Sequence, residues 1–426
     1  MPVTCVVGAQ WGDEAKGKIT DILAENATIV MRYQGGPNAG HTVAIGDEVF
    51  KFHLIPSGIL RPSVTCIMAD GTVIDPIELD REITELKNRG IDCENLVISG
   101  NAHVIMPYHR LLDGIAEDTS GKAKIGTTRR GIGPAYADKA ARVPRSIRMW
   151  DLMDDDVFRE RAMAQLEFKN KLLRCVYGHD GMTPEECIDP ILEVAPRLRR
   201  YIGDIRPLVR QALATDADVI LEGAQGTYID IDYGTYPYVT SSHPVSGGGC
   251  LGTGIPPTAI SRVVMVAKAY TTRVGRGPFP TELTDALGDR IREAGGEYGT
   301  TTGRPRRCGW FDAVLVRAAA QVNGATDIAM TKLDVLDGLN RVKVCVGYRI
   351  EGQVLEYPPG NLDLLYDVEP VYEELPGWKD STRQAKTYSD LPPNARRYVE
   401  RVEELVGVPI SIISVGPARD ATIFRS

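Results

Sequence analysis

Nine short apolar runs recur along the chain, and most are continuous rather than alternating. They cover residues 3–7, 27–31, 64–69, 96–99, 218–221, 262–267, 327–331, 341–348 and 410–414. Strands buried on both faces read this way. Between them lie stretches with helical spacing at 16–25, 77–89, 110–118, 157–176, 191–214, 310–322 and 394–406. The alternation predicts an α/β fold with a large, mostly parallel central sheet flanked by helices. Residues from about 100 to 215 are richer in helix and read as a helical insertion. No low-complexity linker or internal repeat divides the chain, so one domain over 1–426 with helical and loop subdomains is expected.

Composition narrows the class. The 426 residues carry a net charge of −8, which disfavours a nonspecific nucleic-acid binder. No apolar run approaches the ~20 residues that span a bilayer. The opening "MPVTCVV" has neither a basic region nor a long apolar region, so no secretion signal is expected. Eight cysteines stand singly without a CxxC pair, which points to free thiols in a reducing cytoplasm. The 43 glycines gather in short loops, as in an enzyme whose backbone surrounds polyanions.

The first such loop follows the first strand. In "VTCVVGAQWGDEAKGKIT", Gly12, Gly17 and Lys18 match the G-x-x-x-x-G-K core of a P-loop, which relates the fold to the P-loop nucleotide-binding proteins. A helix starting at Lys16 would offer free N–H groups to phosphate, with Lys16 and Lys18 adding charge. The hydroxyl that usually binds Mg²⁺ is replaced by Ile19, and two carboxylates, Asp13 and Glu14, stand inside the loop.

Other stretches carry chemistry. "TKLD", residues 331–334, follows an apolar strand. The Asp334 carboxylate can accept from the two adjacent donors of guanine, and the Lys332 stem can stack on the base. "SVGP", residues 414–417, follows another strand and could flank the same base. "GGPNAGH" presents His41 on a glycine-rich loop. "GTTTGRPRRCG", residues 299–309, sets three arginines after three threonines, a pattern suited to carboxylates or phosphates. "GTTRRGIGP", residues 126–134, has a similar character. Asp230 and Asp232 in "YIDIDYG" read as two solvated acids at a strand end, and "RLRRYIGDIRPLVR" as one basic helix face.

Taken in order, these stretches resemble the adenylosuccinate synthetase family over nearly the whole chain. The resemblance rests on "QWGDEAKGK", "RYQGGPNAGHT", "HLIPSGIL", "GTTRRGIGPAYADKAAR", "EGAQGTYIDIDYGTYPYVTSS", "KAYTTRVGRGPFPTEL", "GTTTGRPRRCGWFD", "TKLDVLDGL" and "GVPISIISVGP". It implies a ligase that joins IMP and L-aspartate, with GTP as co-substrate and one Mg²⁺ per subunit. The γ-phosphoryl group would pass to O6 of IMP, and the aspartate amine would then displace phosphate. By the same resemblance Asp13, His41, Lys16 and Gln225 are catalytic, with Asp13 taking the N1 proton of IMP. Asp13 and the Gly40 carbonyl would hold the metal. IMP would meet Asp13, Glu14, Ala15, Lys16, Asn38, Ala39, Gly40, His41, Thr128, Gln225, Thr240 and Arg304. Arg142 would reach IMP in the neighbouring subunit of a homodimer. Aspartate would meet Val274, Gly299, Thr301, Thr302 and Arg304. GTP would meet the loop from Gly12 through Lys18, including Gly17, then Gly40, His41, Thr42, Arg306, Lys332, Leu333, Asp334, Ser414, Val415 and Gly416.

Ala15 departs from the glycine usual at that place in the family. Alanine suits a first helical turn but is strained in a left-handed one. Two other readings share part of the pattern. A regulatory GTPase would use the phosphate loop and TKLD but has no need of the arginine loop or "GTYPYVTSS". A related ligase could take another purine monophosphate; Asp13 favours hypoxanthine.

Overall fold

The computed structural model of the protein describes residues 3–46, 48–121, 124–142, 146–299 and 303–425. Ten strands form its main sheet: β1 Val3–Gly8, β2 Ile29–Arg32, β3 Thr65–Met68, β4 Leu96–Ser99, β5 Ile202–Gly203, β6 Val219–Glu222, β7 Ile260–Lys268, β8 Asp327–Thr331, β9 Ile410–Ser414 and β10 Thr422–Phe424. Their spatial order is β10-β9-β8-β7-β1-β6-β2-β3-β4-β5. All pairings are parallel except that of β10 with β9. The first 222 residues build one side of β1, and the chain from 260 onward builds the other.

Successive residues of a strand point to opposite faces. On β1, Val3, Cys5 and Val7 join one apolar cluster and Val6 joins another; on β7, Met265 and Ala267 oppose Val264 and Val266 in the same way. Both faces are therefore covered, which is why the strands read as unbroken apolar runs.

Two expectations change. The helical stretch 191–214 divides into helices Asp189–Leu198 and Arg206–Ala214, with β5 between them on the sheet edge beside β4. Pro207 sits in the first turn of the second helix, where its missing N–H is no loss, so it marks a start rather than a continuation. The run 341–348 forms strand Arg341–Ile350 outside the main sheet, paired antiparallel with Glu369–Pro376.

Because the strands are parallel, their carboxyl ends share one edge, where an open α/β sheet binds its ligands. The loops after β1, β2, β6, β7, β8 and β9 leave from that edge. Between them they carry Asp13, His41, Gln225, Val274, Asp334 and Gly416.

Candidate active site

The β1 loop runs into helix α1, Lys16–Leu23. Asp13 and Ala15 both adopt left-handed conformations, with φ of 62° and 66°. The chain thus turns twice around Glu14, and the two acids part company. Glu14 points inward and is fully buried, accepting from the Gln10 and Gly12 amides at 3.0 and 2.9 Å and from Lys16 Nζ at 2.5 Å. Asp13 faces the cleft, where Arg306 Nη2 lies 3.0 Å from its Oδ1. The Glu14 side chain therefore shapes the loop rather than its surface. Ala15 takes the strained alternative of the two that its sequence context left open.

Lys18, the lysine of the P-loop pattern, spends its ammonium elsewhere. Its Nζ donates to Ser414 Oγ at 2.7 Å, Gly416 O at 2.8 Å and Ala421 O at 3.0 Å. An ammonium has three donors, so none remains for phosphate in this arrangement. Lys18 ties α1 to the loop after β9. Burial lowers its pKa to about 8.

His41 packs on α1 so closely that a Cβ added at Gly17 would stand 2.7 Å from the His41 Cβ. Glycine is required there by approach, not by dihedral. His41 Nδ1 lies 2.5 Å from Glu222 Oε1, and Glu222 also accepts from Ser57 Oγ at 2.6 Å and Ser57 N at 2.9 Å. Burial, seconded by Arg32, lowers the His41 pKa. Burial would raise the Glu222 carboxyl, but His41 and Arg32 hold it below its ordinary value. The pair is thus a neutral imidazole donating from Nδ1 to a carboxylate, which fixes the ring with Nε2 as its remaining polar atom.

At the end of β8, Lys332 is left-handed, with φ of 58°. Thr331 Oγ1 donates to Glu14 O at 2.8 Å, joining TKLD to the β1 loop. Arg383 Nε lies 3.1 Å from Asp334 Oδ2, so an exposed arginine covers the carboxylate expected to read guanine. Burial raises the Asp334 pKa against that arginine.

These groups line one cleft of about 830 Å³. Of the expected residues, Gly12, Asp13, Ala15, Lys16, Gly17, Lys18, Asn38, Ala39, Gly40, His41, Thr42, Thr128, Gln225, Thr240, Val274, Gly299, Arg304, Arg306, Lys332, Asp334, Ser414 and Gly416 reach its surface. Leu333 and Val415 do not, because both side chains are fully buried beneath it. Arg142 is exposed at the end of helix Ile132–Ala141 and lies off the cleft. Thr301 and Thr302 lie outside the described residues.

Four wall residues carry buried polar atoms without a hydrogen-bond partner: Trp11 at Nε1, Arg306 at Nε, Gln225 at both amide atoms and Thr240 at its hydroxyl. Gln225 packs against the β1 loop, where a Cβ on Gly12 would stand 3.5 Å from its Cα. Buried polar groups are normally satisfied, so these atoms mark where a polar ligand belongs. The sequence reading missed Glu222, Arg383 and Glu297. Glu222 alone had a local signal, an acid ending a continuous apolar run. Asp230, expected to be solvated, is fully buried and accepts the Asp232 and Tyr233 amides at 2.8 and 3.2 Å.

Comparison with known proteins agrees with this geometry. A family model described as adenylosuccinate synthetase matches residues 5–423. The adenylosuccinate synthetase of Carboxydothermus hydrogenoformans is 55% identical over 423 residues, covering 99% of each chain. That of Heliobacterium modesticaldum is 56% identical over 423 residues, again covering 99% of each. The fully ligated adenylosuccinate synthetase of Plasmodium falciparum superposes with a TM-score of 0.95 over 100% of both chains at 37% identity. The chain belongs to the adenylosuccinate synthetase family.

Proposed function

We propose a division of labour within the cleft of this GTP-dependent ligase, which forms adenylosuccinate from IMP and L-aspartate in purine biosynthesis. The observation that carries it is the unpartnered amide of Gln225 and hydroxyl of Thr240 on the wall beside the Asp13 loop. Gln225 receives the hypoxanthine ring, and Thr240 with Thr128 and Asn38 receives the 5′-phosphate. Asp13 then faces N1 of the base. Taking that proton places negative charge on O6, which attacks the γ-phosphorus of GTP as the bond to the β–γ bridging oxygen breaks. His41, held by Glu222, and Lys16 stabilise the charge that moves onto the β-phosphate. The aspartate amine attacks C6 and phosphate departs. Arg304 holds an aspartate carboxylate beside Val274 and Gly299, and Thr301 and Thr302 are assigned to the same substrate. Lys332 and Asp334 read guanine, with Ser414 and Gly416 beside the base.

The donor set offered by Asp13 and the Gly40 carbonyl is one carboxylate and one carbonyl oxygen. That set fits Mg²⁺, which keeps few protein ligands and takes the rest from phosphates and water. Bound there, the ion would neutralise phosphate charge. Arg142, exposed and off its own cleft, suits a homodimer in which it enters the partner's site. A reducing cytoplasm suits the eight cysteines, all free thiols. No helix among the described residues is long and apolar enough to cross a membrane.

The test is purified protein with IMP, GTP, aspartate and Mg²⁺, followed by the ultraviolet change of the purine. Product is expected with all three substrates and absent when any one is omitted. Product without aspartate, or GTP hydrolysis at full rate without IMP, would overturn the assignment.

A further inference from the structure

Glu297 follows helix Ala286–Gly295, and its carboxylate is fully buried behind the cleft wall. Four side chains converge on it. Lys268 Nζ donates to both oxygens at 2.9 Å, Arg306 Nη1 donates at 2.6 Å and Lys332 Nζ at 2.8 Å, and the Tyr270 hydroxyl donates as well. Burial would raise this carboxyl, but Lys268, Lys332 and Arg306 hold it far below its ordinary range. Lys268 and Tyr270 are fully buried, so of the four only Lys332 and Arg306 reach the cleft.

Each of those two makes one more contact. Lys332 Nζ donates to Gly295 O at 2.8 Å, which leaves its ammonium held at two points and its stem laid along the wall. Arg306 divides its fork: Nη1 is on Glu297, and Nη2 faces Asp13 Oδ1 at 3.0 Å. A planar guanidinium held on one side has a fixed direction on the other. One buried carboxylate therefore sets the posture of the side chain beside Asp334 and of the side chain on Asp13.

We propose that Glu297 is a positioning residue for the nucleotide half of this site: it anchors Lys332 as the platform for guanine and Arg306 as the guide of Asp13. The proposal rests on the ligase reading of the cleft. Glu297 touches no substrate. Its contribution is pre-organisation, which lowers the ordering cost of binding. With a neutral amide in its place, three cations lose their common partner, and the amide N–H groups face donors.

The experiment is steady-state kinetics on the full-length enzyme with each substrate varied. Glu297→Gln is expected to raise the KM for GTP at least about tenfold and to lower kcat by a similar factor, leaving the KM for IMP within about twofold. Lys268→Met is the control. It removes a cation that never reaches the cleft and leaves Lys332 and Arg306 tethered, so Tm should fall while the KM for GTP stays within about twofold. If Glu297→Gln does not fold, Glu297→Asp carries the test, because it keeps the charge and shortens the reach by one methylene. It should raise the KM for GTP about threefold or more without moving that for IMP. A folded Glu297 variant with the wild-type KM for GTP, or with GTP and IMP weakened equally, overturns the proposal. Wild-type protein without ligase activity would instead overturn the functional reading, so the two failures are distinct.

Discussion

Replacing Ala15 with glycine should stabilise the protein by about 1 kcal/mol. Ala15 caps α1 with φ 66° and ψ 35°, and its side chain makes no capping bond that glycine would lose. A residue with a Cβ in this region is disfavoured by roughly 1–2 kcal/mol. Glycine relieves that strain but gives back roughly 0.5–1 kcal/mol through the greater freedom of its unfolded chain. For 426 residues at about 2.1 cal/mol/K each, the unfolding entropy is about 0.9 kcal/mol/K, so Tm should rise by about 1 °C. Scanning calorimetry at fixed protein concentration and without nucleotide resolves that shift, since bound ligand would add its own. Ala15→Val, with branching at the same backbone angles, should move Tm the other way. A Tm for Ala15→Gly that falls by a degree or more would refute the reasoning, because the left-handed turn would then cost alanine nothing.

Lys18→Met should raise the KM for GTP by about tenfold, yet change inhibition by inorganic tripolyphosphate less than about threefold, since its three donors hold the loop beside the base. Equal loss of both would return Lys18 to the phosphates. Asp334→Asn should weaken GTP and favour xanthosine triphosphate in a competition assay, and an unchanged preference would place the guanine reader elsewhere. Burial pushes the Asp312 carboxyl up to about 7, so the stability it contributes when protonated is complete below the ordinary carboxyl value of 3.8 and is lost as pH rises through 7. Asp312→Asn keeps an acceptor for the helix cap and turns an N–H toward the Tyr348 hydroxyl, which can accept it, so wild type should lose Tm relative to this variant between pH 4 and 8; a constant gap would contradict a raised Asp312. Mixing Arg142→Leu with Asp13→Asn should restore about a quarter of wild-type activity, because half the re-formed dimers carry one intact site of two. No recovery after subunit exchange would argue against a shared site.

What was legible in the sequence was what the chain writes locally. Strands such as Leu96–Ser99, Asp327–Thr331 and Ile410–Ser414 stood out because both faces are covered, so burial runs along them without alternation and most positions are apolar. β5 did not, since two residues carry no period. The loops stood out because glycine clusters where backbone must come close, as at Gly17 under His41. Side-chain direction was another matter. Asp13 and Glu14 are adjacent acids in one motif, and only the paired left-handed turns send one to the cleft and the other into the fold. Lys18 matched its motif by position, yet its donors are taken by a segment some four hundred residues away. Glu297 was illegible for the same reason, and Glu222 showed only as an acid at the end of an apolar run. A glutamate bound for burial reads like any solvated one until the fold brings its cations, and those of Glu297 arrive from β7, from the turn after β8 and from the arginine loop. Most of the groups that would touch substrate lie in short local motifs, glycine loops or the TKLD strand end, which is why the sequence displayed them. The charges that hold those groups in place come from distant segments, so they became visible only once the sheet had gathered its carboxyl ends along one edge.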